Sequence, residues 1–410
     1  MSPGLLDDLR SRMGNRRRPD QIDSFFDDYG LLGNPFPPAR IIIPEVIHNQ
    51  QSAKEGVAQA IIEVMEQAPG RRALGIVGGT GVGKTHFLRH TQYAFQALCR
   101  DTDKKFIIVE TQAGSAGIMD LVKLTYEQAD LLCRESRQLD FLSTIVNNLS
   151  DSSGNEILEG LHSDELRRAI TTTLEQAREE NTFDLFPFNI ERLTRLTEPL
   201  RRWLVGSSMN ATECRRLGVY SRINTSSVAV KMLSEMLTLA CRMNIIHGML
   251  LCVDEVESLF ARDLSKAKIQ AYVQDLRFLH DESMKENVGY SLLMLSAATE
   301  LGANRLADVN FAVFQRLGFD DSLRVKLNPI SKFTEARDLA KAYLEYGQNK
   351  WKDEYPKKKA KRNTYDLIAE DEIEKIFAEL SKSAKKEGAE LVSQASLLQA
   401  FHKKVEEERS

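Results

Sequence analysis

The segment Gly78-Gly79-Thr80-Gly81-Val82-Gly83-Lys84-Thr85 constrains this chain more than any other stretch of it. It follows the apolar run Ala73-Leu74-Gly75-Ile76-Val77, which reads as a buried strand, and precedes His86-Phe87-Leu88-Arg89-His90, which continues as a helix. In a strand–glycine loop–helix context, consecutive backbone N–H groups can turn inward around phosphate oxygens, because no Cβ stands in the way. The first turn of the helix adds the positive end of its dipole. Lys84 then reaches the β- and γ-phosphates, and the Thr85 hydroxyl ligates Mg²⁺. The expected ligand is ATP with Mg²⁺, held by Gly78, Gly79, Thr80, Gly81, Val82, Gly83, Lys84 and Thr85.

A phosphate loop needs a carboxylate partner, and the run Met249-Leu250-Leu251-Cys252-Val253 followed by Asp254-Glu255 supplies one. Asp254 is expected to hold the Mg²⁺ shell through water, and Glu255 to polarise the water that attacks the γ-phosphate. Two solvated acids at a strand end are the alternative. Glu257 reads as a solvated first-turn residue. Beyond the next apolar run, Tyr290 to Ser296, the polar residues are Ser296 and Thr299. Thr299 is the choice for positioning the water, although threonine also caps helices well. Phosphoryl transfer calls for positive charge near the γ-phosphate, often an arginine lent by a neighbouring subunit. Arg316 is the first choice and Arg305 the second; surface ion pairs are the alternative for both.

The pattern around these motifs sets the fold class. Ser52 with Glu55 reads as a capping box for a helix carrying Val57, Ile61, Val64 and Met65. Residues 105–110 read as a second strand, 249–253 as the third after a helix over about 225–246, 290–296 as the fourth, and 322–328 as a weaker fifth. Strands alternating with helices predict a parallel sheet covered on both faces. From Thr85 to Asp254 the chain is about twice as long as two or three strand–helix units of ~30 residues require. Residues about 115–225 are therefore expected to be a helical insertion. After Ile330 the pattern is helical only, with one helix ending at Gly347. The expectation is an α/β parallel-sheet P-loop NTPase core over 41–330, an N-terminal arm and linker over 1–40, and an all-helical lid over 331–410.

Composition removes other classes. Net charge is −4 over 410 residues, so contact with nucleic acid has to come from a local patch. No apolar stretch approaches the ~20 residues of a membrane span, and the N-terminus lacks a signal-peptide layout. The five cysteines are scattered and never in a C-x-x-C pair, which reads as reduced thiols in a cytoplasmic protein. The densest basic run, Lys357-Lys358-Lys359-Ala360-Lys361-Arg362, is either a phosphate grip or a solvated linker. His86 and His90 lack the glutamate of a zinc-protease helix and read as packing or surface residues. Phe183, Phe186 and Phe188 read as core of the insertion, and Arg16-Arg17-Arg18 as part of a mobile arm.

The phosphate loop, the adjacent Asp254-Glu255, the hydroxyl after the fourth strand, the later arginine and the helical lid together resemble an AAA+ ATPase. Within AAA+ the chain resembles the origin-recognition-like branch, and more narrowly the ATP-binding proteins of bacterial BREX-type phage-defence systems. The narrower likeness rests on Trp203-Leu204-Val205-Gly206, Leu217-Gly218-Val219, Gly248 through Glu257 and Ala297-Ala298-Thr299-Glu300, within about residues 40–345. The resemblance implies an ATPase acting as a homo-oligomeric switch or motor, with double-stranded DNA or other proteins of the same defence system as partners. Two rivals remain: a nucleotide-locked scaffold with slow turnover, and a DNA-target selector resembling transposition regulators. In two respects the chain departs from the pattern. Ser393-Gln394-Ala395-Ser396 stands where many AAA+ proteins place a sensor arginine, and no winged-helix pattern follows.

Overall fold

The computed structural model describes residues 23–38, 41–67, 72–113, 117–137, 139–150, 154–180, 190–260, 265–284, 290–386 and 391–409. Arg16-Arg17-Arg18, Phe183, Phe186 and Phe188 lie outside them. In chain order the elements are α1 (Ser24–Asp28), α2 (Gln51–Met65), β1 (Ala73–Val77), α3 (Lys84–Asp101) and β2 (Phe106–Gln112). The insertion contributes α4 (Ile118–Arg137), α5 (Phe141–Asn148), α6 (Gly154–Glu159), α7 (Asp164–Glu179), α8 (Ile190–Leu204) and α9 (Ala211–Arg216). Then come α10 (Ser226–Arg242), β3 (Gly248–Asp254), α11 (Lys266–Ser283), β4 (Ser291–Ala298), α12 (Glu300–Val309), α13 (Phe311–Arg316) and β5 (Arg324–Lys326). The last helices are α14 (Phe333–Glu354), α15 (Glu370–Lys386) and α16 (Gln394–Arg409).

The chain divides into two compact units. The sheet unit, Gln51–Gly79 with Phe87–Leu327, holds five parallel strands in the order β2-β3-β4-β1-β5. Parallel strands covered on both faces read as unbroken apolar runs, and β1, β3 and β4 are buried along their whole length. This is the fold class expected from the sequence. Several ends differ. Helix α2 starts at Gln51, so Ser52 lies inside it and Glu55 accepts from the Gln51 amide (2.8 Å) instead of closing a capping box. Helix α10 stops at Arg242 rather than near Gly248, because Asn244 takes a left-handed conformation (φ 54°).

The helical unit gathers the described residues of Met1–Gln50, the short segment Thr80–His86, and those of Asn328–Ser410. Its core joins Phe26, Leu31 and Phe36 from the N-terminal segment to Tyr343, Leu344 and Phe401. Residues 23–38, expected as arm and linker, are thus a packed part of this unit. Gly347, expected to end a helix, sits inside α14, which runs on to Glu354. A Cβ there would come within 2.8 Å of Leu31 and 3.2 Å of Pro35, so this glycine serves close approach by the N-terminal segment rather than termination.

The same segment accounts for the basic run. Lys358 Nζ contacts both carboxylate oxygens of Asp27 (2.7 and 2.6 Å), Lys361 pairs with Asp28 (2.8 Å), and Arg362 donates to the Tyr29 hydroxyl (2.9 Å). Trp351 Nε1 donates to Asp27 as well (3.0 Å). Three of the run's cations therefore clasp residues 27–29, an arrangement that neither a phosphate grip nor a solvated linker describes. No described helix is long and apolar enough to cross a membrane.

Candidate functional site

The phosphate loop begins where β1 ends. Gly78 is buried, and a Cβ on Gly79 would stand in open space. Gly81 (φ 75°) and Gly83 (φ 102°) adopt left-handed backbone that side chains disfavour, and Val82 between them is buried and anchors the turn. Helix α3 starts at Lys84, with Thr85 next, and its 18 residues give the N-terminus a full dipole. The residues present fit a polyphosphate: two left-handed glycines shape the turn, and Lys84 and Thr85 occupy the first helical turn.

Within the helical unit, other groups stand against this loop. A Cβ on Gly81 would fall 2.9 Å from Cβ of Ser393, and one on Gly83 would be 3.7 Å from Oε1 of Gln394. Gln394 is itself held by its amide on the His48 carbonyl (3.3 Å), and the His86 ring lies 2.9 Å from the Ile43 carbonyl. His86 is thus a packing residue, and Ser393-Gln394 does reach the loop. The sequence gives no signal of that contact, since it joins residues more than three hundred positions apart.

The acidic half is built at the end of β3. Asp254 is 2% exposed; its carbonyl accepts from Ala113 N (2.9 Å) and its Oδ1 from Glu255 N (2.8 Å). Glu255 has φ 51°, a conformation costing a non-glycine residue about 1–3 kcal/mol. That turn diverts the chain from the strand into the 3₁₀ segment Val256–Phe260 and leaves Glu255 exposed.

Sheet register relates the parts. Val77 pairs with Ala298, and Val253 pairs with Ser296. The chain therefore leaves β1 at Gly78, β4 at Thr299 and β3 at Asp254 along one carboxyl edge, where open parallel sheets bind ligands. Thr299 caps α12, its Oγ1 accepting from Gly302 N (3.1 Å), which leaves the hydroxyl hydrogen as a donor. Ser296 lies inside β4, fully buried, because the strand runs two residues further than expected; its Oγ has no partner among the described residues. Glu257 is not merely solvated: its Oε2 accepts from Thr299 N (3.1 Å), tying the segment after β3 to the end of β4.

The two arginines separate. Arg316, at the end of α13, donates through Nε to Asp281 Oδ1 on α11 (2.9 Å) and through Nη1 to the Ala312 carbonyl (3.2 Å). Burial pushes the Asp281 carboxyl upward, but hydrogen bonds from Arg316, His280 and Arg277 outweigh it and hold its pKa below the ordinary value. Arg316 is thus engaged within its own chain. Arg305, on the outer face of α12, is exposed and makes no hydrogen bond or ion pair among the described residues.

Comparison with known proteins adds a family match over part of the chain. No curated protein sequence matches the chain. Among solved structures it is similar to the ORC2 protein of Aeropyrum pernix in its ADP form, at 12% identity and TM-score 0.42, over 90% of this chain and 71% of that one. The ORC1 protein of the same organism in complex with DNA is 12% identical at TM-score 0.35, over 92% of this chain and 69% of that one. Residues 191–388 match the model of the family described as BREX system ATP-binding protein BrxC/D, a span containing Asp254, Glu255, Thr299, Arg305 and Arg316 but not the phosphate loop. Over those residues, the BREX-type resemblance read from the sequence is a match to this family's domain.

Proposed function

We propose that this protein binds ATP and hydrolyses it as an AAA+ switch in bacterial anti-phage defence, working as a homo-oligomer on double-stranded DNA or on proteins of the same system. The supporting observation is the sheet register: the glycine loop, the buried Asp254, the strained Glu255 and Thr299 leave adjacent strands at one edge. Gly78 to Gly83 present backbone N–H groups to the phosphates, and Lys84 adds a charge. Thr85 and Asp254 are the residues to hold Mg²⁺, which when bound neutralises phosphate charge. Glu255 takes the proton of the attacking water, and the Thr299 hydroxyl orients that water. Arg305, exposed and unengaged, fits an arginine offered to a neighbouring subunit better than Arg316 does.

One observation favours the slow-turnover scaffold: the groups that stand against the loop from the last helix, Ser393 and Gln394, are uncharged. Steady-state phosphate release with and without duplex DNA separates the two readings. Multiple turnovers by the parent and none by Glu255→Gln support the switch. Tight ATP retention with no measurable turnover supports the scaffold. Failure of the parent to bind ATP with Mg²⁺ refutes both.

A further inference from the structure

The loop after α9, within the insertion, exposes an aromatic ring among arginines. Tyr220 is 79% exposed, the largest exposure among the large hydrophobic side chains described. This is not the looseness of a mobile loop. Helix α9 ends in a closed turn, with Gly218 N on the Arg215 carbonyl (3.1 Å), Val219 N on the Cys214 carbonyl (3.0 Å), and Gly218 at φ 78°. Tyr220 N is fixed on Glu165 Oε1 (3.1 Å), and the next carbonyl, of Ser221, accepts from the buried Trp203 (2.9 Å). The ring itself is held: the Arg168 guanidinium lies 4.4 Å from its centroid and donates to its hydroxyl (2.8 Å). These restraints fix the ring in place while leaving most of it open to water.

Its surroundings are cationic. Arg215, Arg216 and Arg222 are exposed, and none makes an ion pair among the described residues. The carboxylates nearby make their hydrogen bonds elsewhere, Glu165 to the Tyr220 amide and Glu213 to Arg202 (2.8 Å) and the Asn210 amide (2.7 Å), although Arg216 also lies close enough to Glu213 to attract it. In a chain whose net charge is −4, such a cluster is a local exception. Guanidinium groups neutralise phosphates, and a fixed ring with one face covered by Arg168 offers the other for stacking on an unpaired base. A protein partner would match the arginines as well, but nothing here would reward a rigid bare ring as base stacking does.

We infer that Tyr220, backed by Arg168 and flanked by Arg215, Arg216 and Arg222, is a contact site for single-stranded nucleic acid. The site shares no residue with the nucleotide site and rests on no part of the reading given for it. The test is fluorescence anisotropy of labelled oligo-dT, oligo-U and a DNA duplex with the full chain over a range of salt. Single strands of either sugar should bind, and Tyr220→Ala should weaken them about 5- to 150-fold, whereas Tyr220→Phe stays near the parent. Arg216→Glu with Arg222→Glu should weaken binding and flatten the slope of log affinity against log salt by about 1.4, two lost phosphate contacts. Melting curves measured on the same samples should be unchanged and report that each variant is folded. No binding of single strands by the parent at low salt would overturn the inference. So would binding indifferent to these substitutions, or duplex binding that exceeds single-strand binding and ignores Tyr220→Ala.

Discussion

Gly81→Ala tests whether Ser393 truly stands against the phosphate loop. Two penalties apply to that substitution. Alanine at φ 75° costs about 1–2 kcal/mol. Its Cβ would also sit 2.9 Å from Cβ of Ser393, against an optimum of about 3.5–4 Å, and crowding of this kind costs about 1–3 kcal/mol. Together they come to about 3 kcal/mol, or roughly 10 °C in the transition of a unit of this size. Ser393→Gly removes the crowding atom but also the oxygen that accepts from Ser396 N (3.0 Å), and glycine in place of a capping serine loses only about 0.3 kcal/mol. The double variant should therefore be destabilised by about 2 kcal/mol rather than the additive value of about 3.3. Scanning calorimetry of the parent, both single variants and the double gives the coupling directly. Additivity within about 0.5 kcal/mol would refute the contact, since that is how independent sites behave.

Other outcomes follow from the site and the clasp. Lys84→Ala should abolish binding of a fluorescent ATP analogue, while Glu255→Gln keeps binding and loses about 10²–10⁴ in turnover; an undiminished rate would mean the base is elsewhere. Arg305→Ala should stop turnover without lowering thermal stability, whereas Arg316→Ala should lower stability by stripping Asp281 of a partner; phosphate release and melting curves on both variants decide between them. Burial pushes the Asp27 carboxyl upward, but hydrogen bonds from Lys358 and Trp351 outweigh it and depress its pKa. Its contribution to stability is therefore present above the unfolded value of 3.8 and lost as pH falls through the lower folded value. Asp27→Asn should flatten the acid limb of melting temperature against pH, and an unchanged limb would contradict the assignment.

The glycine turn and the strand-end acids stand out in the sequence because each obeys a local rule. Glycines flanked by an apolar run and a helix, or two acids after an apolar run, keep their meaning wherever the chain goes. Strands β1, β3 and β4 were legible for the same reason, since buried parallel strands are unbroken apolar runs, whereas β5, Arg324–Lys326, buries only Val325 and gave the weaker signal. Local rules erred where a distant segment changed the local choice. Gly347 reads as a helix stop until Leu31 and Pro35 are seen to need the space, and the basic run reads as solvated until Asp27 and Asp28 face it. Glu257 and the two arginines were ambiguous because one residue type serves a salt bridge, a tie or a catalytic role equally well; only burial and partners distinguish them.

By itself, then, the sequence determined the class of fold and marked the glycine turn and the two strand-end acids on which the proposed site is built, because backbone freedom at glycine and charge at a strand end are properties of a few adjacent residues. The tertiary structure alone decided that β4 lies between β1 and β3, that Arg316 is bound to Asp281 while Arg305 is not, and that residues 23–38 complete the helical unit. Those outcomes depend on which apolar surfaces find each other across hundreds of residues, and no local pattern encodes that pairing.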